Sequence, residues 1–495
     1  MSSSDSQEKL DDAKFAPPTV DVLDASDDGF LEQMGYKQEF RRDFTFLGLF
    51  SLVSSELAIL PGVAGTIWYT MGYMGLVGMT WGWLVAAVMG QFLAYSLAEL
   101  SSAYPTSGGL YYWAYMTAPP KYKLLSCYVV AWSMIISTPL ACVSITYSAA
   151  QLLVAAFQLA YPNYAAEPWH IYLVYLGMMF LSYLVICLPT KYVSWFNIWA
   201  NALGIVILIV LTILLPVKAE TLNSGKAIFT QARSFGLSRG QIALISTTPG
   251  IQPARLACGM VFLHDVPVCH LDAQRIWFAI FHTQCYVSRS SGMPRSPDVA
   301  AHVAEETHNA AVTVPRAMIW ATWTGTLLGF VYLISLALCS VDIDTLMSDD
   351  LGQPLGTLFA QVLGTKAGIA FMIINAFCQM ACGIAFFVAA SRIFFAYARD
   401  RALPFSGWLS RVSPRTQTPN NASLFVFLTS AAFGAISIGS DTAFEAFFSG
   451  STLAGQIGYI LPVLGRCLYE DNPEYRNGPF NLGRFSRLIR WIAVA

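Results

Sequence analysis

The chain has 495 residues, of which 55% are hydrophobic and only 12% are charged, whereas soluble domains carry about 25% charged residues. Its formal net charge of −2 offers no basic surface for nucleic acid, and its ten cysteines are scattered instead of forming a disulfide framework or metal-ligand pattern. The composition excludes an ordinary soluble protein and predicts an all-α protein that crosses the lipid bilayer many times, without metal or cofactor.

The N-terminal residues 1–43 are predicted to form a disordered tail, because residues 1–30 are polar and acidic with few large apolar side chains. Three basic residues, Lys37, Arg41 and Arg42, then precede the first apolar run. Positive residues flank the cytoplasmic ends of membrane helices. We therefore expect the N-terminus to be cytoplasmic.

The first apolar run, residues 44–73, is long enough to cross a bilayer, but its middle is poor helix. That middle holds two serines, a glutamate, a proline and two glycines: Ser54, Ser55, Glu56, Pro61, Gly62 and Gly65. Proline and glycine weaken the helical hydrogen-bond ladder, and an intramembrane carboxylate costs about 3 kcal/mol or more. The pattern is typical of a helix broken at mid-membrane, as in secondary transporters, although a kinked structural helix with a buried Glu56 fits these residues equally well.

Further apolar runs predict spans at about residues 75–98, 124–159, 171–188, 193–217, 317–340, 366–391, 422–440 and 442–465. The lysines and arginines between these spans lie on one side of the membrane only if a sixth span crosses within residues 218–316, where hydropathy shows no convincing one. We therefore predict spans one to five in residues 44–217 and spans seven to ten in residues 317–465. Residues 218–316 between them are predicted to form an external loop, a disturbed sixth span and a cytoplasmic loop. Residues 466–495 are predicted to form a cytoplasmic loop and the start of an eleventh span.

Two polar motifs lie beside the spans. The stretch AELSSAYPTSGGLYYW follows the second span, and we expect its Glu99 and Tyr104 to shape an inner gate. The stretch HVAEETHNAAVTVPR precedes the seventh span, and its Glu305 and Glu306 are predicted to pair with loop arginines. A loop helix without a chemical role is the alternative for this second motif.

Four stretches in the same order resemble the fungal amino acid/choline transporters, which include GABA and choline permeases of the amino acid–polyamine–organocation superfamily. They are FSLVSSELAILPGVAGTIWY, AELSSAYPTSGGLYYW, HVAEETHNAAVTVPRAM and SRIFFAYARDRALPFS. The resemblance implies twelve helices in an inverted five-plus-five repeat, with spans one and six unwound around the substrate. It also implies proton-coupled uptake, and a chain that is truncated before the end of its eleventh span.

The resemblance places four residues of the first span around the substrate: Ser54, Ser55, Leu57 and Ala58. Glu56 is the sole carboxylate within this span, so it is the candidate to carry the coupling proton or to face a substrate cation; a permanently protonated, hydrogen-bonded Glu56 is the alternative. Gly62 is expected to serve the break structurally.

Four polar residues at mid-membrane depth in spans three and eight are further candidates for substrate binding: Ser137, Thr138, Gln379 and Cys382. Such residues also commonly form helix–helix hydrogen bonds or support kinks.

The region of the sixth span departs from the family. Back-translation of Leu256–Phe278, read one base later, permits an apolar run followed by T-L-S-G-Y, which is similar to the family's unwound sixth span. We therefore expect residues 232–297 to be translated out of register. If the polypeptide is made as written, the charges between His264 and Arg275 oppose membrane insertion.

The sequence as a whole predicts a secondary transporter, not an enzyme, that imports amino acids, GABA, choline or related amines by alternating access. Its partners are the small substrate, a proton and the lipid bilayer; the plasma membrane is expected, with the vacuolar membrane as the alternative. Two rival hypotheses remain: a non-transporting nutrient sensor that signals through the tail, and an inactive product of a misassembled gene. Deletion of residues 1–30 would discriminate the sensor, because a sensor loses its output while a transporter keeps uptake.

Overall fold

The computed structural model of the protein describes residues 29, 31–32, 34–161, 163–230, 297–347, 353–439 and 441–494. Within these ranges the chain is helical almost throughout, and the β-structure is limited to an isolated bridge between Phe44 and Thr307. Seven helical segments of the described chain are long and apolar enough to cross a membrane. The all-helical architecture predicted from composition is therefore confirmed.

The described helices are, in chain order, α1 (Phe46–Leu57), α2 (Ile59–Met74), α3 (Trp83–Ala103), α4 (Leu110–Thr117), α5 (Lys123–Ala160), α6 (Pro168–Ile186), α7 (Thr190–Lys218), α8 (Gly225–Thr230), α9 (Val299–His302), α10 (Ala310–Cys339), α11 (Ile343–Met347), α12 (Pro354–Leu363), α13 (Thr365–Arg399), α14 (Ser406–Leu409), α15 (Asn420–Ile436), α16 (Asp441–Leu468) and α17 (Ser486–Val494).

The first span is broken between α1 and α2. Ala58 lies alone between them in the left-handed region, with φ 46° and ψ 49°. The cause is Pro61, because a proline has no N–H for the carbonyl four residues earlier and its ring collides with that carbonyl, here Leu57. The helix therefore ends at Leu57 and restarts at Ile59. The break predicted over Ser54 to Gly62 is confirmed but narrower, since both serines and Gly62 are themselves helical.

The eighth span is longer than predicted, since α13 continues to Arg399 instead of ending near residue 391. Arg392 and Arg399 therefore lie within this helix, and both guanidinium groups are paired with glutamates inside the protein. The predicted sixth span falls in residues 232–297, of which only residue 297 is described. The expected change of reading frame over residues 232–297 falls outside the described residues, apart from residue 297.

The break in the first span lies at the junction of two hydrophobic clusters. One cluster contains Leu57 and Ala58 and includes residues of α4, α5 and α13. The other starts at Ile59 and includes residues of α2, α10 and α12. Because α1 and α2 are packed into different clusters, the break at Ala58 lies where the two clusters meet.

Candidate functional site

The end of α1 carries the polar groups of the candidate site. Ser54 and Ser55 are buried, and their hydroxyl oxygens have no hydrogen-bond partner among the described residues. The N–H of the following Ala58 is directed back to the carbonyls of these two serines, at 3.3 and 3.2 Å. The last carbonyls of one helix and the first N–H groups of the next lack partners within their helices. The break thus concentrates unused backbone and hydroxyl groups.

A cavity of about 40 Å³ lies beside these serines. Its walls come from the break and from the middles of α7 and α13; they include Ser54, Ser55, Ala58, Asn201, Gly204 and Cys378. A cavity needs about 10–15 Å³ of this volume to hold one water molecule, so this one has room for only a few. An amino acid can enter only if α1, α7 or α13 moves.

Glu56 is 4% exposed and faces α9. Its carboxylate oxygen Oε2 accepts a hydrogen bond from the backbone N–H of Val299, at 3.4 Å. The backbone carbonyl of Glu56 accepts a long contact from the Cys382 thiol of α13, at 3.7 Å. Glu56 therefore links the broken span to both α9 and α13.

The other candidates from spans three and eight have different surroundings. The Ser137 hydroxyl donates to the carbonyl of Ser451 in α16 at 2.6 Å, and Thr138 donates to Met134 within its own helix at 3.0 Å. The Gln379 amide donates to the Ile145 carbonyl at 3.4 Å. None of these three side chains lines the cavity described above. Of these four candidates, Cys382 is the one whose side chain contacts a described residue of the broken span, at the carbonyl of Glu56.

Leu57 and Gly62 flank the hinge without forming the cavity wall. Leu57 is buried, and its methyl group lies close to Gly325 of α10. Gly62 occupies the first turn of α2, where its N–H donates to the carbonyl of Ala58. Both residues hold the two helices beside the break.

Sequence reasoning missed two asparagines near the site. Asn201 of α7 lines the cavity. Asn375 of α13 is 1% exposed, and its amide atoms have no hydrogen-bond partner within the described chain. Asn375, Gln379 and Cys382 recur at four and three residues, which places them on one face of a helix. That spacing could have revealed Asn375 in the sequence.

The two residues expected at an inner gate lie at the face of the bundle where residues 34–45 enter α1, which we call the N-terminal face. Glu99 of α3 accepts hydrogen bonds from Ser486 at 2.6 Å and Arg490 at 3.4 Å, and so holds α17. The Tyr104 hydroxyl donates to the Glu474 carbonyl at 3.3 Å. Burial raises the pKa of Tyr104 to about 12, so the phenol stays protonated and remains a donor.

Two buried ion pairs close the same face. Glu306 pairs with Arg392 at 2.7 Å, and Glu305 pairs with Arg399 at 2.9 Å. Each pair has two N–H···O contacts between its guanidinium and its carboxylate, and the carboxylates are fully buried. The predicted pairing of the two glutamates with arginines is confirmed. The stretch that could have been a loop helix without a role is part of the closed face.

Comparison with known proteins gives the family. A profile described as amino acid permease matches residues 44–262 and 296–495. Two uncharacterised amino-acid permeases of Schizosaccharomyces pombe are 30% and 32% identical over 476 and 480 residues, spanning 95% and 94% of this chain and 80% and 77% of theirs. A GABA-specific permease of Saccharomyces cerevisiae is 28% identical over 494 residues, covering 98% of this chain and 80% of that protein.

The fold is likewise shared with a solved transporter. The crystal structure of MhsT in complex with L-phenylalanine matches 92% of this chain and 96% of its own, with a TM-score of 0.55 and 13% identity. This likeness shows the fold of that transporter, which agrees with the inverted-repeat fold expected for the chain. With a family profile covering most of its length, the protein is a multi-pass membrane protein and belongs to the amino acid permease family.

Proposed function

We propose that the protein is a secondary transporter that imports a small amino acid or related amine by alternating access. The observation that carries the proposal is the break at Ala58, which leaves the hydroxyls of Ser54 and Ser55 beside a cavity between α1, α7 and α13. A membrane helix that only supports the fold has no need for such an interruption, because unsatisfied backbone groups are costly in the bilayer.

The two helix ends at the break suit a substrate with both charges. The C-terminal end of α1 carries a partial negative charge and favours an ammonium group, whereas the N-terminal end of α2 carries a partial positive charge and favours a carboxylate. In our proposal Ser54 and Ser55 add hydroxyl groups for either charge, with Leu57 and Ala58 shaping the apolar side. Cys382, Gln379, Ser137 and Thr138 are proposed to complete or support the site from α13 and α5.

The names of related proteins support the substrate class. The yeast relative is a GABA-specific permease, a further relative from Candida albicans at 30% identity is named as a polyamine transporter, and the structural neighbour was crystallised with L-phenylalanine. The substrate class we infer is therefore an amine-bearing metabolite, with amino acids, GABA, choline and polyamines as the members to be tested.

Proton coupling is proposed to depend on Glu56. It is buried in the broken span and contacts α9 through the N–H of Val299, so a change in its protonation acts on the two elements beside the substrate. We further propose that the N-terminal face is cytoplasmic, since basic residues precede α1. The plasma membrane is the proposed location, with the vacuolar membrane as the alternative.

The test is uptake in proteoliposomes by the purified protein that the sequenced spliced transcript encodes. Radiolabelled GABA, putrescine, choline and L-phenylalanine are offered in parallel, with and without an inward pH gradient. We expect saturable uptake of at least one compound, and stimulation by the gradient. Binding of a panel member without uptake would favour the sensor hypothesis, and neither binding nor uptake of any panel member would overturn the proposed substrate class.

A further inference from the structure

A buried aspartate and a buried histidine at the two ends of α9 form a cluster that the proposed transport site does not use. His302 is fully buried, and Asp298, four residues earlier, is 3% exposed. Both lie at the N-terminal face, beneath the loop that follows α3. Gly109 of that loop has a φ of +52° and packs so closely that a Cβ there would be 3.0 Å from the His302 ring carbon Cε1.

The imidazole of His302 lies between two hydrogen-bond acceptors. Its Nδ1 is 3.2 Å from the backbone carbonyl oxygen of Ser107, and its Nε2 is 3.5 Å from the carboxylate oxygen Oδ2 of Asp298. The second carboxylate oxygen, Oδ1, accepts a hydrogen bond from the Tyr459 hydroxyl at 3.1 Å. Nε2 has no hydrogen bond within the described chain, so Asp298 is the group that it faces.

These contacts determine how many protons the pair holds. A carbonyl oxygen only accepts, so Nδ1 must carry hydrogen. In a neutral imidazole, Nε2 then carries a lone pair instead of a hydrogen. This lone pair would face the lone pairs of the ionised Asp298 carboxylate, and the two groups would repel each other. The repulsion is removed by one added proton, on Nε2 or on Asp298. One proton more than a neutral histidine and an ionised aspartate carry would therefore satisfy both contacts.

The surrounding charges belong to elements on every side. Glu56 of α1 reaches the N–H of Val299, directly after Asp298, and the Tyr397 ring of α13 interacts electrostatically with Asp298. On the loop side the Ser107 N–H donates to Glu305 at 3.0 Å, and Glu305 is neutralised by Arg399. The peptide of Ser107 thus joins the His302 ring to the nearer of the two buried ion pairs.

We propose that the Asp298–His302 pair is a proton-binding site that holds the N-terminal face closed. Opening this face separates α9 from the Ser107 loop, exposes the ring to water and releases the proton to the same side. Because the closed state binds one more proton, acid on that side favours closure and alkali favours opening, by up to about tenfold per pH unit. The site thereby regulates transport by the pH of the compartment that the face meets.

This device differs from the proposed coupling through Glu56. A proton taken up and released on one side crosses no membrane, so the site changes the rate of opening without driving accumulation. The inference needs only a face that opens and closes; it takes the side of the membrane from the proposed function, and the experiment below requires no substrate.

The experiment measures opening with a cysteine at the contact itself. Ser107→Cys is a conservative reporter, because the serine is fully buried and its hydroxyl has no partner among the described residues. The labelling rate by a soluble maleimide is recorded from about pH 5 to 8, the range in which histidine ordinarily titrates, and labelling of the parent chain is subtracted. Comparing backgrounds that share the reporter at each pH cancels the pH dependence of the thiol itself.

The reporter is compared in three backgrounds: the unaltered chain, Asp298→Asn and His302→Gln. In Asp298→Asn the amide can donate to Nε2, so no added proton is needed. In His302→Gln the imidazole is removed, and the new amide can donate to an ionised Asp298. At each pH, the labelling rate of the unaltered background is divided by the labelling rate of Asp298→Asn. We expect this ratio to rise at least threefold as the pH rises, and the corresponding ratio to His302→Gln to rise similarly. His308→Gln, at an exposed histidine of the same segment, is expected to behave as the unaltered background.

A ratio to Asp298→Asn that does not change with pH would overturn the inference, whatever the uptake assays show. If His302→Gln fails to fold, Asp298→Asn alone decides. Conversely, the labelling ratio could change with pH in a protein that neither binds nor transports any of the panel compounds. That result would support the proton-binding site and overturn the proposed substrate class. The two proposals are therefore tested separately.

Discussion

At the scale of single residues, Ala58 has the most demanding conformation in the site. It has a positive φ, in which an ordinary side chain costs about 1–2 kcal/mol, and it is one of five non-glycine residues with positive φ in the described chain. Glycine would adopt this conformation more easily, whereas a β-branched side chain fits it badly. The strain is located where the two helices of the first span meet.

The first prediction concerns this hinge. Ala58→Gly should retain uptake, and Ala58→Val should lower it at least about fivefold, because added strain of about 1 kcal/mol or more disfavours the break. Initial uptake rates in proteoliposomes, corrected for the amount of folded protein, measure the effect. Equal rates for the glycine and valine variants would contradict a functional role of the left-handed hinge.

The second prediction concerns proton coupling. Glu56→Gln keeps the size and hydrogen-bonding capacity of the side chain but cannot titrate, so uptake should no longer increase when the external pH is lowered. Glu220→Gln, at an exposed carboxylate after α7, is the control and should keep the normal pH profile. Uptake is measured against external pH at constant internal pH; an unchanged profile in Glu56→Gln would remove this residue from coupling.

The sequence predicted the role of a single residue only where the groups that it interacts with are close to it in the chain. The spacing of Ser54, Ser55 and Pro61 predicted the break because the cause is a backbone clash within one turn. The hydrogen bond from the Ser137 hydroxyl could not be predicted, since its acceptor Ser451 lies more than 300 residues away in the chain. A hydroxyl in a membrane helix satisfies whichever carbonyl the packing brings near.

At the scale of helices, the N-terminal face is held by charges between α13 and the segment before α10. The carboxylate of Glu306 binds Arg392 and also accepts a hydrogen bond from Thr190 of α7 at 2.6 Å. Removal of one partner of a buried pair leaves an uncompensated charge, whereas removal of both charges is much less harmful. The Glu306–Arg392 pair therefore joins α13, α7 and the segment before α10 only while both of its members are present.

The third prediction follows from this asymmetry. Glu306→Gln should destabilise the folded protein by about 3–5 kcal/mol, because Arg392 stays buried without its counter-ion. The double variant Glu306→Gln/Arg392→Gln should recover part of that loss. Thermal unfolding of both single variants and the double variant in detergent gives the comparison. A double variant whose loss of stability equals the sum of the two single losses would show that the pair is not coupled.

At the scale of the whole molecule, the family match has one internal gap. The profile matches through residue 262 and resumes at residue 296, so residues 263–295 have no counterpart in it. This gap overlaps much of the segment from Leu256 to Phe278, whose shifted reading resembles an unwound sixth span. We propose that the departure from the family is confined to this shorter stretch.

The fourth prediction is made on the nucleic acid. The spliced transcript, sequenced across these codons, should contain the frame that encodes T-L-S-G-Y in place of the present HDVPVCHLDAQR. The flanking codons for residues 220–230 and 298–308 serve as internal controls and should encode the chain as printed. A messenger that encodes HDVPVCHLDAQR in frame would refute the proposal.

The sequence by itself determined the membrane class, the helical architecture, the family and the broken first span. These depend on composition, on long apolar runs and on a proline whose effect reaches only four residues back. Only the tertiary structure decided that Arg392 and Arg399 lie inside helix α13, that Asn375 is buried beside the other polar residues of α13, and that His302 lies between Ser107 and Asp298. These features depend on contacts between distant segments, and the free energy of a buried charge is set by the partner that packing supplies.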